Sequence, residues 1–159
     1  MGVKKRLQRL IQQNAIKVTT LMNPFFYKLY PAAVVLLEME SAEAMQKLLE
    51  RFKDCPRVIN IFKTIGGYNL IALVVAENQD ILESISVEKC SLRSSAGIRR
   101  SEFYPIGDIY FTLFLPIREH LTHKEKHIAP CNVDCKPCTQ YLNGKCVGCP
   151  VTIHYKGTL

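Results

Sequence analysis

The residues whose chemistry is easiest to read are five cysteines near the C-terminal end. The segment APCNVDCKPCTQYLNGKCVGCPVTIHYKG holds Cys131, Cys135, Cys138, Cys146 and Cys149, spaced C-x3-C-x2-C-x7-C-x2-C. A C-x2-C pair lets two thiolates reach one metal from a single tight turn, and a second pair completes a tetrahedral four-sulfur site. Cys135 with Cys138 and Cys146 with Cys149 fit that scheme, and Gly144 and Gly148 supply turn freedom beside the second pair. The seven-residue gap would make a compact knuckle. Zinc is the first reading of the cofactor. An iron–sulfur cluster is the alternative, since C-x3-C-x2-C can hold three irons of a four-iron cluster. Disulfides or free thiols are a third. Five thiols exceed the four of a tetrahedral site, so one is spare, bridging or redox-active. His123, His127 and His154 are further candidate ligands. Cys55 and Cys90 lie far from the cluster in sequence and read as small buried hydrophobes.

What must position this cluster is a chain of 159 residues, long enough for one good core and a small appendage. Composition is globular, with 48% hydrophobic and 22% charged residues. The net charge of +7 is unevenly spread. Residues 1–30 hold Lys4, Lys5, Arg6, Arg9, Lys17 and Lys28 and no acid; residues 31–117 are slightly acidic; residues 118–159 are basic again. A basic N-terminal stretch suits a nucleic-acid contact. No secretory signal and no membrane-length apolar run is visible. Clustered thiols without such a signal point to a reducing cytoplasm.

Three parts follow: an N-terminal helix and linker over 1–30, a central domain over 31–117, and a cysteine-rich module over 118–159. Val3, Leu7, Leu10 and Ile11 give residues 3–14 one apolar helical face, with the exit at Asn14. Residues 16–21 form a β-prone piece before an Asn23-Pro24 turn. Residues 32–39 read as a strand, with Ser41 capping a helix that ends before Pro56. Residues 58–64 and 69–76 are a hairpin around a Gly-Gly-Tyr-Asn corner. A second helix is expected over 79–92 and a fourth strand over 97–104. The order β-α-β-β-α-β is the split-βαβ, ferredoxin-like motif of an α+β fold. Its sheet carries helices on one face only, yet its strands are apolar nearly throughout. A second copy of the chain is the simplest cover for the other face, so a homodimer or higher oligomer is expected. Residues 109–117 are a further apolar run, either an added strand or part of that interface.

The helix Val3-Lys4-Lys5-Arg6-Leu7-Gln8-Arg9-Leu10, the Asn14-Ala15-Ile16 exit, the Asn23-Pro24 pair and the corner Thr64-Ile65-Gly66-Gly67-Tyr68-Asn69 resemble the Lrp/AsnC (feast/famine) family of prokaryotic transcription regulators. The resemblance covers about residues 1–105. It implies a winged helix-turn-helix before a ferredoxin-like effector and dimerisation domain. It also implies DNA contact by Lys4, Lys5, Arg6 and Arg9, and an amino-acid-like effector near Gly66, Gly67, Tyr68 and Asn69. Asn69 stands where the family has an aspartate. The chain begins within the recognition helix, so phosphate contacts are expected to carry little specificity.

The sequence thus predicts a regulator that dimerises and senses a small effector, a metal or redox state. The alternative is an interaction module that does not bind DNA and hetero-oligomerises with full-length paralogues. No nucleophile–base constellation or phosphate loop suggests an enzyme.

Overall fold

The computed structural model describes residues 2–19, 21–23, 32–111 and 113–157. Element order follows from local chemistry. α1 (Val3–Gln12) ends where Asn14 takes a left-handed φ of 52°. β1 (Ala32–Met39) leads into α2 (Ala42–Phe52), whose Ser41 cap accepts a hydrogen bond from the Ala44 amide at 3.1 Å. β2 (Val58–Lys63) and β3 (Leu70–Val75) form the hairpin. Asn78 caps α3 (Gln79–Val87), and β4 (Ile98–Pro105) completes the sheet. The strand order β2-β3-β1-β4, antiparallel throughout, is the ferredoxin-like arrangement. Pro24, and with it half of the Asn-Pro turn, lies outside the described residues.

Register decides which side chains share a face. Ala33, Val35 and Leu37 lie opposite Val74, Ala72 and Leu70 and are buried, as the helix-bearing face requires. Met45, Leu48 and Phe52 of α2 and Ile81 and Leu82 of α3 pack in the same core. The other face carries Val34, Leu36, Ile71 and Leu73, all half-buried. One end of it is covered by Met22, Ile106, Leu115 and Ile117, where Met22 and Leu115 form an isolated antiparallel bridge.

Three expectations need correction. The helix expected over 79–92 stops at Val87, because Glu88 is extended and the hydroxyls of Ser86 and Ser91 bond the local backbone. Cys90 therefore lies in a loop before a short 3-10 turn, Leu92–Ser94. Among the described residues of 109–117 there is no added strand, and Tyr110 and Phe111 are exposed. β4 is not apolar on its open face, where Arg100, Glu102 and Tyr104 lie opposite Glu38, Leu36 and Val34.

The approach of α2 to β4 rests on Gly97, with φ at 79° and an added Cβ only 2.5 Å from that of Ala44. Gly97→Ala should lower stability by about 2–3 kcal/mol. Thermal melts by circular dichroism check this, with Gly107→Ala, where the added Cβ meets nothing within 4 Å, as the near-neutral control.

Candidate functional site

The tail has little regular structure, so turns must place its thiols. Asn132, at φ 62°, makes a turn between Ala129 and Val133 that sets Cys131 against the domain core. The Cys138 amide donates to the Cys135 carbonyl at 3.2 Å, closing the first C-x2-C turn. One helical turn, α4 (Thr139–Leu142), then leads to Cys146, whose amide donates to Gln140 O at 3.0 Å. Gly148 has φ 87° and would bring a Cβ within 3.2 Å of the Tyr141 ring, so a side chain there would be strained. The amide and hydroxyl of the fully buried Thr152 both donate to the Cys149 carbonyl at 2.9 Å.

Two arginines of the domain tie these turns down. Arg57 precedes β2 and Glu77 follows β3, so the antiparallel pairing brings them to one end of the hairpin. Their side chains are each only 8% exposed and form an ion pair at 2.7 Å. Arg57 also donates to the Gly148 carbonyl at 2.9 Å, and Tyr155 donates its hydroxyl to Glu77 at 2.6 Å. Burial opposes the Arg57 charge, but Glu77 beside it holds the guanidinium protonated beyond its ordinary range. Arg51 of α2 donates to the carbonyls of Cys131 at 3.2 Å and Lys89 at 2.7 Å, next to Cys90.

These ties close a cavity of about 310 Å³ between the tail and the helix-bearing face of the sheet, lined by all seven cysteines of the chain. Val35, Val74 and Phe103 form part of its apolar floor. Cys131 and Cys146 are buried and the other five thiols are half-buried. Cys55 and Cys90 are thus not sealed core residues, as their sequence context suggests, but share a wall with the tail thiols. Burial raises the thiols of Cys55, Cys90 and Cys135 and pushes Cys131 up to about 11 and Cys149 up to about 12. Charge on Cys131, Cys146 and Cys135 adds to the effect at Cys90, while Arg57 opposes it. Burial therefore favours the neutral form of Cys55, Cys90, Cys131, Cys135 and Cys149. Among the described residues no three His, Cys, Asp or Glu side chains gather as a site for a single ion. The His127 and His154 rings are tilted at 59° with centroids 6.2 Å apart, and neither lines the cavity.

The glycine corner is a second polar cluster. Arg100 lies over the Tyr68 ring at 4.4 Å, and the Tyr68 and Tyr104 hydroxyls both donate to Glu102. These bonds, that from Tyr104 foremost, hold the Glu102 carboxyl below its ordinary range. A Cβ added at Gly66 would meet nothing within 4 Å, and one added at Gly67 would lie 3.4 Å from Arg100 Nη2. Asn69 is committed elsewhere. Its side-chain amide accepts from Met39 N at 2.8 Å and donates to Met39 O at 2.9 Å, carrying the β1–β3 pairing one residue beyond the start of β3. Sequence reasoning found Tyr68 but missed Arg100, Glu102 and Tyr104; their alternation along β4 is the signal that could have found them. Nothing in the sequence marks Arg57 and Glu77 as partners, because only strand register brings them together.

Lys4, Lys5, Arg6 and Arg9 are exposed on α1, no residue of which is buried. Among the described residues no helix is long and apolar enough to cross a membrane.

Arg57→Met would leave Glu77 buried and unpaired and free the Gly148 carbonyl. It should cost about 3–5 kcal/mol in urea denaturation. Asn69→Asp removes the donor to Met39 O and should cost about 1–3 kcal/mol at pH 7. That deficit should shrink as pH falls and the introduced carboxyl protonates, which thermal melts across pH would check.

Residues 32–106 match the family model of the Lrp/AsnC ligand binding domain. No curated protein sequence matches the chain. Solved structures share its fold. AsnC of E. coli is 16% identical, with 69% of this chain and 72% of that chain covered and a TM-score of 0.58. A transcriptional regulator from Neisseria meningitidis, solved as a complex with L-Met, is 14% identical, with 69% and 71% covered and a TM-score of 0.61. The leucine response regulatory protein of Mycobacterium tuberculosis is 17% identical, with 70% and 74% covered and a TM-score of 0.58.

Proposed function

Because the chain carries an Lrp/AsnC ligand binding domain over residues 32–106, we propose that it is a transcriptional regulator that senses a small effector through this domain. The observation that carries the reading is the corner beside that domain's open face. Glu102 and Arg100 offer a carboxylate and a guanidinium against Tyr68 of the Gly66–Asn69 corner. That is the complement of an amino acid's ammonium and carboxylate. The neisserial neighbour's complex with L-Met supports the same ligand class. Asn69 serves this site by holding the turn rather than by contacting ligand.

The half-exposed Val34, Leu36 and Ile71 on the open face support pairing with a second copy. Lys4, Lys5, Arg6 and Arg9 supply the DNA contact. A second reading rests on α1, which has no buried residue. The domain then pairs with full-length relatives through the same sheet face and does not read DNA itself. Salt-dependent binding to DNA favours the first reading, and none at low salt favours the second.

The tail adds a metal site. Cys131, Cys135, Cys138, Cys146 and Cys149 hold zinc or an iron–sulfur cluster, and the state of that metal sets the tail's grip on the domain.

Thermal shift against the set of free amino acids tests the effector. A true effector present at about 100 times its Kd adds about 2.7 kcal/mol of stability. The shift should vanish in Glu102→Gln, with a circular dichroism spectrum matching the wild type as the check on its fold. If no amino acid moves the midpoint of the wild-type protein, the effector reading fails.

A further inference from the structure

The metal reading of the tail leaves two cysteines and one hydroxyl without a use. Cys55 follows α2, Cys90 follows α3, and Ser84 lies on α3; all three line the cavity with the tail thiols. Ser84 is 2% exposed, and its hydroxyl is, among the described residues, the buried side-chain polar atom that lacks a partner. Such a group costs about 1–3 kcal/mol if it stays unsatisfied. An acceptor within the cavity removes that cost, and sulfide or thiolate sulfur is such an acceptor.

The number and spread of donors point to the type of ligand. A zinc ion takes four donors gathered at one point. Here the thiols are distributed around a volume roughly ten times the ~30 Å³ share of one water. A polynuclear cluster is met by thiolates arriving from several directions around a body of several atoms. Val35, Val74 and Phe103 give the cavity an apolar floor, which limits the water that can reach such a cluster. The Arg57 guanidinium, bonded to the Gly148 carbonyl between Cys146 and Cys149, offsets the negative charge that bound thiolates bring.

We infer that the cavity holds an iron–sulfur cluster ligated from both parts of the chain, with Cys90 of the ferredoxin-like domain joining thiolates of the tail and Ser84 donating a hydrogen bond to a sulfur. This rests on the metal reading of the tail and goes beyond it in two respects. The metal is polynuclear, and it clamps the tail onto the effector domain instead of folding the tail alone. The loop that replaces the last turns of the expected helix then has a purpose, since it delivers Cys90 to the cavity wall.

The test uses the full chain, purified anaerobically and reconstituted with ferrous iron and sulfide. Iron, zinc and acid-labile sulfide are measured, with absorbance and electron paramagnetic resonance of the reduced protein. The wild type should be brown, with about four irons and about four sulfides per chain. Cys90→Ala should lose most of its iron. Cys90→Ser should keep a cluster with a shifted resonance, because a serine oxygen replaces one sulfur ligand. Ser84→Ala should keep its iron and change its reduction potential. Circular dichroism of Cys90→Ser should match the wild type, which separates loss of a ligand from loss of the fold. A wild type that loads iron while both Cys90 variants stay indistinguishable from it overturns the inference and leaves the tail site standing. A wild type that takes up only zinc overturns the cluster while keeping a metal in the tail. A wild type that binds no metal removes both readings.

Discussion

A guanidinium cannot be taken out of water without a partner, and the structure depends on how Arg57 meets that demand. Glu77 supplies the opposite charge from the other strand's end of the same hairpin, and the Gly148 carbonyl takes a further hydrogen bond. Tyr155 then uses the remaining capacity of Glu77. Two of these four groups belong to the domain and two to the tail. The ion pair is therefore satisfied only when the cysteine loops are docked. Arg51 repeats the logic on the other side by joining Cys131 to the loop that carries Cys90. A segment with almost no regular structure is fixed by polar groups it did not itself contain.

The sheet separates two kinds of chemistry by the alternation of its strands. Val35 faces the helices and lines the thiol cavity, while its neighbours Val34 and Leu36 face the open side. β4 does the same, with Phe103 toward the cavity and Glu102 and Tyr104 toward the glycine corner. One pair of adjacent strands thus bears both the thiol cavity and the polar corner, on opposite faces. The open face, at Val34, Leu36, Ile71 and Leu73, remains only half-buried in a single chain.

Much of the fold was legible because its signals are local. Strand periodicity, the Ser41 cap and the left-handed Asn14 depend on a few consecutive residues, and the helices and strands they mark begin within a few positions of where they place them. The misplaced end of α3 came from serines whose hydroxyls compete for the backbone, a contest that apolar spacing does not register. The Lrp/AsnC character of residues 32–106 was legible in the corner and in the order of elements. The tail thiols were legible as a cluster from their spacing alone. What spacing could not give was the company they keep. Cys55 and Cys90 join them only through the packing of α2, α3 and the tail, and Arg57 meets Glu77 only through strand register.

The central claim is that tail and domain form one cooperative unit around the Arg57–Glu77 pair. Hydrogen–deuterium exchange measures this directly through the amides of Cys138, Cys146 and Lys156, each hydrogen-bonded within the tail. The account predicts that they exchange as slowly as the amides of β1 and β3 and open with the same free energy. Tail amides that exchange at the rate of an unstructured peptide while the sheet stays protected would contradict it.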